Sequence, residues 1–290
     1  MNDAIPSNRS IQISCDNEYD TLKQVIVVPP AFMRIEEAIN ETQEHYLEED
    51  GEAMDASIAQ QQHREWIQTL TSRGIEVISL EAKQALPEQV FTRDIGFTIG
   101  NKLFISNLKE ETRQSEEQVL INWLKQLQIP YHRLSNGTIE GGDVIVDGKT
   151  IWVGLSSRTS KEAVVLLAQQ LPDYDIYPIP LRDDILHLDC VFNLISANTA
   201  LIHPPAIDPT ACQRLQETYT CIEVTDDEQF HMGPNVLSIG NQTVISLPEN
   251  ERLNTALRAH QYEVIEAPFS EIIKSGGSYR CCTLPLWREK

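Results

Sequence analysis

Four times along the chain a β-rich run, a tight turn and a second β-rich run follow one another, at residues 97–106, 144–153, 192–202 and 236–246. The turns hold Gly100-Asn101, Asp147-Gly148, Ala197-Asn198 and Gly240-Asn241. Gly, Asn and Asp tolerate the positive φ that hairpin turns require. The turns recur every 43 to 50 residues, counted between Asn101, Gly148, Asn198 and Asn241. A helical stretch and a short strand follow each hairpin. After the first, Leu120, Trp123, Leu124 and Leu127 keep helical spacing, and a strand is expected over 129–134. The later pairs are 161–171 with 174–181, 209–219 with 221–225, and 250–260 with 262–267. The front of the chain supplies a fifth unit, with a strand over 22–28, a helix over 55–73 and a strand over 75–80.

Arrays with one period bury their cores against their neighbours. Closing the array into a ring removes exposed strand edges. Residues 1–290 are therefore expected to form a single catalytic domain of the α/β class, a five-bladed ββαβ pseudo-symmetric propeller. In such a ring, equivalent positions face one axis. The stretches that precede the hairpins are 91–94, 140–143, 187–189, 231–235 and 276–282. They bring Asp94, Glu140, Asp143, His187, Asp189, His231 and the pair Cys281-Cys282 toward one place.

Each of these residues also has an ordinary reading. Glu140-Gly-Gly-Asp143 could be a loop with an Asx-turn, Asp94 a surface ion pair, His187 a buried core histidine and His231 a bystander. Together they fit one chemistry. A nucleophilic thiolate needs a partner that holds and delivers protons, which His187 supplies. The histidine needs an orienting carboxylate, for which Glu140 is suited. Asp94 and Asp189 are then left without a base role, and two acids in a small cavity repel unless a cation lies between them. A planar guanidinium answers that need, because carboxylates bind it bidentately. If 280–283 runs as a strand, only one of the two cysteines can face the axis.

Composition sets limits on the partners. The formal net charge of −20 argues against nucleic acid, which calls for a Lys/Arg surplus, and it would steer a cationic small molecule inward. A solubility surface is the plainer account of the same charge. No apolar run approaches the ~18 residues of a membrane span. The first residues carry no signal-like apolar stretch, so a cytoplasmic location is expected. None of the six cysteines forms a CxxC pair, so neither a disulfide framework nor a metal site is expected. Cys15, Cys212 and Cys221 are read as small buried hydrophobes.

With these residues the sequence resembles the guanidine-modifying enzymes of the pentein superfamily: arginine deiminases, dimethylarginine dimethylaminohydrolases and amidinotransferases. The likeness runs from about Leu22 to Trp287 and rests on Arg93-Asp94, Glu140-Gly-Gly-Asp143, His187-Leu-Asp189 and the final Gly276-Gly followed by Arg280-Cys-Cys-Thr. It implies Cys281 as nucleophile, His187 as general acid/base, Glu140 as its partner, and Asp94 and Asp189 as guanidinium ligands. It also implies Arg158, in Gly154-Leu-Ser-Ser-Arg-Thr159, and Arg113 as carboxylate anchors, with Asp143 among the substrate-binding residues. The chain length is similar to that of dimethylarginine dimethylaminohydrolase, while Asp189 resembles the arginine deiminase pattern. The arginine that deiminases carry just before the final Gly-Gly is replaced by Ser275 and Gly276.

The resemblance implies a hydrolase that needs no cofactor and acts on a small cationic guanidino substrate. Amidino transfer to an amine, hydrolysis of a ureido group and an inactive binding scaffold are the alternatives. A second copy of the chain, in a homodimer, is the one macromolecular partner considered. The polar run 36–55 after Pro29-Pro30 is read as a lid or as a loose surface connection.

Overall fold

The computed structural model describes residues 10–48 and 54–290. Among these, the strands assemble into five three-stranded sheets. β1 (Thr21–Val27) leads through α1 (Glu41–Glu48) and α2 (Ala56–Ser72) to β2 (Glu76–Ser79), which pairs with β1 in parallel. β3 (Gly96–Ile99) and β4 (Lys102–Ile105) form the next hairpin, and α3 (Glu116–Gln126) returns to β5 (His132–Arg133) alongside β4. The pattern repeats with β6 (Val144–Asp147), β7 (Thr150–Leu155), α4 (Lys161–Gln170) and β8 (Asp175–Pro180). It repeats again with β9 (Phe192–Leu194), β10 (Thr199–Ile202), α5 (Pro209–Thr218) and β11 (Thr220–Glu223). After the short α6 (Asp226–Phe230) come β12 (Leu237–Gly240), β13 (Thr243–Ser246), α7 (Glu251–Ala259) and β14 (Glu263–Glu266).

The front unit lacks the hairpin partner that the other four carry. That place is taken by β15 (Leu284–Glu289), which pairs antiparallel with β1 from the far end of the sequence. The chain thus closes its own ring: β15 also packs against β3, and β1 against β12. A sheet shared between the two ends removes the open edges that a linear stack would leave.

Local chemistry explains the elements. At the tip of the β12–β13 hairpin Asn241 and Gln242 both adopt positive φ, 52° and 55°, the pair of left-handed residues a type I′ turn needs. Asp55 caps α2 by accepting from the Ser57 and Ile58 amides, and the helix buries Ala59, Trp66 and Leu70 on one face. The strand expected over 129–134 shrinks to two residues, since Pro130 has no N–H to give a ladder. Inner strands β3, β9 and β12 are buried along their whole length, whereas β2, β5 and β14 on the rim are largely exposed or half-buried. Inner residues such as Leu237 and Phe192 each contribute about 1.5–3 kcal/mol through burial.

The segment before β1 crosses the hairpin-tip end of the ring. Bridges join Ser14 to Trp287, Cys15 to Gly100 and Asn17 to Asp147, so it touches three blades in succession. It carries Glu18 into the interior, where it is 5% exposed. Among the described residues no helix is long and apolar enough to cross a membrane.

Candidate active site

Opposite the hairpin tips, each inner strand is preceded by a tight turn, and these turns build the site. Short 3-10 turns cover Gly141–Asp143, Leu188–Cys190 and Gly233–Asn235, and Asp94 lies in the turn before β3. Backbone packing explains the two glycines after Glu140. A Cβ at Gly141 would lie 2.1 Å from the Arg93 carbonyl oxygen, and one at Gly142 would lie 2.7 Å from the His187 ring. The turns can approach the axis this closely only because neither residue has a side chain.

Glu140 and His187 are both completely buried and meet at 2.7 Å between Oε2 and Nε2. Glu140 Oε1 accepts from the Lys109 amide at 3.0 Å. Burial alone would raise the Glu140 carboxyl, but the bond to His187 and its charge, with Arg158 and Arg113 behind them, lower it to about 2. Burial alone would lower His187, yet the Asp94 charge and the Glu140 bond raise it to about 9. Both directions favour an imidazolium facing a carboxylate. His187 Nδ1 lies 3.8 Å from Asp94 Oδ1.

Cys281 is held by an amide rather than by the histidine. Asn235 Nδ2 donates to the Cys281 sulfur at 3.1 Å, and Asn235 Oδ1 accepts from the Cys281 backbone amide at 3.1 Å. Both Asp189 oxygens lie 3.8 Å from the same sulfur. Burial first, then Asp189 and the other groups nearby, push the thiol well above its ordinary value. Cys282 is fully buried in the core and lies off the cavity wall. The expectation of a strand here is corrected: 279–282 form a turn, stitched by the Cys282 amide to the Ser278 carbonyl, and β15 starts only at Leu284.

A closed cavity of about 10 Å³ lies beside Cys281, walled by Asp94, Arg113, Arg158, His187, Glu88 and Ser275 and roofed by Ile39 and Asn40. That volume is room for about one water. Arg158 Nη2 donates to the Ile39 carbonyl at 2.7 Å and Asn40 Nδ2 to the Ser275 carbonyl at 3.2 Å. Gln43, on α1, reaches the Ser275 hydroxyl at 2.8 Å and Glu88 at 3.1 Å. The described part of the run 36–55 therefore covers the axial site; its residues 49–53 lie outside the described residues.

Of the residues expected from sequence, Cys281, His187, Asp94, Arg113 and Arg158 line this cavity. Glu140 lies directly behind His187. Asp189 lies beneath Cys281 rather than on the wall. Asp143 has both oxygens engaged, accepting from Ser156 Oγ at 2.6 Å and the Leu188 amide at 2.9 Å. Its carboxylate orders the turn that carries His187 and does not face the cavity. Arg113 is bound to Asp94 at 2.8 Å and bidentately to Glu116 at 2.9 and 3.1 Å. Of the stretch 231–235, His231 is half-buried away from the site and bonds the Asp227 carbonyl; the axial residue is Asn235. Asn235 stands just before an inner strand, as Asp94 and Asp143 do, and that register was its available signal. Glu88 on the wall had no signal of its own. Burial first, against the pull of Arg113, raises its carboxyl to about 7.

Asp94, Glu140 and His187 place oxygen and nitrogen atoms within 4.8 Å of one another, the kind of grouping that can hold a cation. Glu140 Oε2 and His187 Nε2 are already engaged with each other.

The five-bladed fold and the similarity to dimethylarginine dimethylaminohydrolases and arginine deiminases make this a chain of the guanidino-modifying pentein superfamily. The family model described as N,N dimethylarginine dimethylhydrolase, eukaryotic, matches residues 29–288, and the chain belongs to that family. It is 47% identical over 288 residues to uncharacterized protein YkgA of Bacillus subtilis, with 99% of each chain covered. It is 26% identical over 268 residues to the N(G),N(G)-dimethylarginine dimethylaminohydrolase of Mycobacterium tuberculosis, covering 91% of this chain and 86% of that one. In fold it is similar to the product-bound N-terminal domain of ArgZ, an arginine dihydrolase from cyanobacteria. The TM-score is 0.84 at 24% identity, over 93% of this chain and 98% of that one.

Proposed function

We propose that this chain hydrolyses the guanidinium group of arginine or a substituted arginine through a covalent intermediate on Cys281. The observation that carries the reading is a set of three buried polar atoms without a hydrogen-bond partner in the protein: Asp94 Oδ1, His187 Nδ1 and Arg158 Nη1. Buried polar atoms are ordinarily paired, so three around one cavity beside a cysteine suit a polar, planar ligand.

The guanidinium docks on Asp94 Oδ1 with Asp189 below it. Its charge favours the Cys281 thiolate that the closed site disfavours, and the thiol proton passes to solvent as the substrate enters. The sulfur attacks the guanidinium carbon, and His187 gives its proton to the departing nitrogen, which leaves as ammonia or an amine. Water then adds to the thiouronium carbon while His187 accepts its proton. The C–S bond breaks, leaving a ureido product such as citrulline. Arg158 and Arg113 suit the carboxylate of an amino-acid tail, and Glu88 suits its ammonium. The roof of Ile39 and Asn40 has to move before any such substrate enters.

Turnover of a panel of arginine, methylated arginines, agmatine and citrulline tests the reading, with product mass separating hydrolysis from amidino transfer. A ureido product and free amine from arginine or a methylated arginine are expected. Turnover of none of the guanidines, or transfer of the amidino group to an amine, would overturn it.

A further inference from the structure

Beneath the site lies a second set of buried charges that the proposed chemistry does not use. Arg280 is 2% exposed and joins the two layers. Its Nη1 donates to Glu18 and its Nη2 to the Val144 carbonyl at 3.1 Å. Its Nε lies 3.2 Å from Asp189 Oδ2 but is not aligned for a hydrogen bond. Glu18 also faces Arg93 at 3.4 Å, and its other oxygen accepts from the Val146 amide at 3.2 Å. Arg93 and Arg280 are the chain neighbours of Asp94 and Cys281, and the Arg93 amide donates to the Cys281 carbonyl at 2.9 Å. Two acids thus face two arginines in a layer with almost no access to water.

We infer that Arg280, braced by Glu18, is the positioning residue for Asp189: it supplies charge that favours the carboxylate beneath the substrate without itself taking up the carboxylate's acceptor sites. The unaligned contact is the physical reason. An arginine that bonded Asp189 as a fork would neutralise it and fill its acceptor sites; one held by Glu18 and a carbonyl supplies charge alone. The charged and titratable groups around Asp189 are Arg280, His187, Asp94, Arg93, Cys281 and Cys190. Burial pushes the Asp189 carboxyl up, and Arg280 is the largest influence pulling it back. The inference rests on the guanidinium-clamp reading above.

The test compares alkylation of Cys281 by chloroacetamidine, a planar amidinium, with alkylation by neutral iodoacetamide, across pH, with Cys281→Ser as blank. Wild-type protein is expected to prefer the cation. Arg280→Gln should lose that preference by roughly tenfold or more. The preference should return as pH rises, because Asp189 then ionises unaided, and Arg280→Lys should restore it without a pH change. Glu18→Gln leaves an excess arginine charge under the site, so its loss of preference should not recover with pH. A wild-type ratio in folded Arg280→Gln, or a loss that alkali does not repair, would overturn the inference. Where Arg280→Gln does not fold, an unchanged ratio in Glu18→Gln does the same. A wild type that does not prefer the cation would instead overturn the clamp itself.

Discussion

Arg113 and Asp94 are joined at 2.8 Å inside the closed cavity, so the acid that suits a substrate guanidinium already holds one from the protein. Arg113 is also gripped by Glu116, which leaves it anchored if Asp94 is lost. Asp94→Asn should therefore fold and lose kcat/KM by about two orders of magnitude or more, the scale of removing one member of a buried charge pair. Steady-state kinetics beside a melting curve check this. A large drop in Tm with ordinary kinetics would assign Asp94 to structure alone.

Cys281 and Cys282 differ in environment rather than in strand face. Cys281→Ser should abolish turnover, and Cys282→Ser should leave most of it. Mass spectrometry of protein quenched during turnover should find the adduct on the peptide of wild-type protein and not on Cys281→Ser. Full activity in Cys281→Ser would end the covalent mechanism.

The His187–Glu140 pair has a two-sided pH signature. His187 is raised to about 9, so its contribution to stability is complete below its ordinary 6.5 and lost as pH rises through about 9. Glu140 is lowered to about 2, so its contribution is complete above 4.5 and lost as pH falls toward 2. Tm should show a plateau from this pair between pH 4.5 and 6.5. Glu140→Gln should flatten the alkaline fall as well as the acid one, since His187 then lacks its bonded anion. An unchanged Tm–pH profile in that variant would disprove the coupling.

Arg158 serves two masters, the Ile39 carbonyl of the roof and whatever fills the cavity. If it anchors a carboxylate, Arg158→Ala should damage turnover of α-amino acid substrates far more than that of agmatine, which has none. Equal losses on both would make Arg158 a roof support. Preference of the wild type for agmatine would also remove the anchor.

Gln43 ties α1 to Ser275 and Glu88 across the roof. Gln43→Ala should loosen the roof, raising the rate of Cys281 alkylation by a neutral reagent several-fold and changing Tm little. An unchanged rate would mean that another element controls access.

Hairpin turns at near-constant spacing were enough to read four ββαβ units, and a strand, helix and strand at the front suggested the fifth, because Gly and Asn at positive φ and 3–4 apolar spacing are local signals. The turn stretches carrying Asp94, Glu140, His187, Asp189 and Cys281 were legible for the same reason: equivalent places in a ring face one axis. The roles of His231 and Asn235 could not be ranked that way, since register within a short turn depends on how its neighbours pack. Strand alternation misjudged 280–283, where the Cys282 amide closes a turn instead of joining a ladder.

The repeat, the ring and most of the chemically capable residues near its axis were readable from the chain alone. Tertiary structure alone decided their partnerships. It joined β15 to β1 across nearly the whole chain, turned Asp143 inward to hold Leu188, set Arg113 on Asp94, and placed Glu18 under Arg280. Each of these contacts links residues from different elements, where burial requires every polar group to find a partner and no sequence spacing records which one.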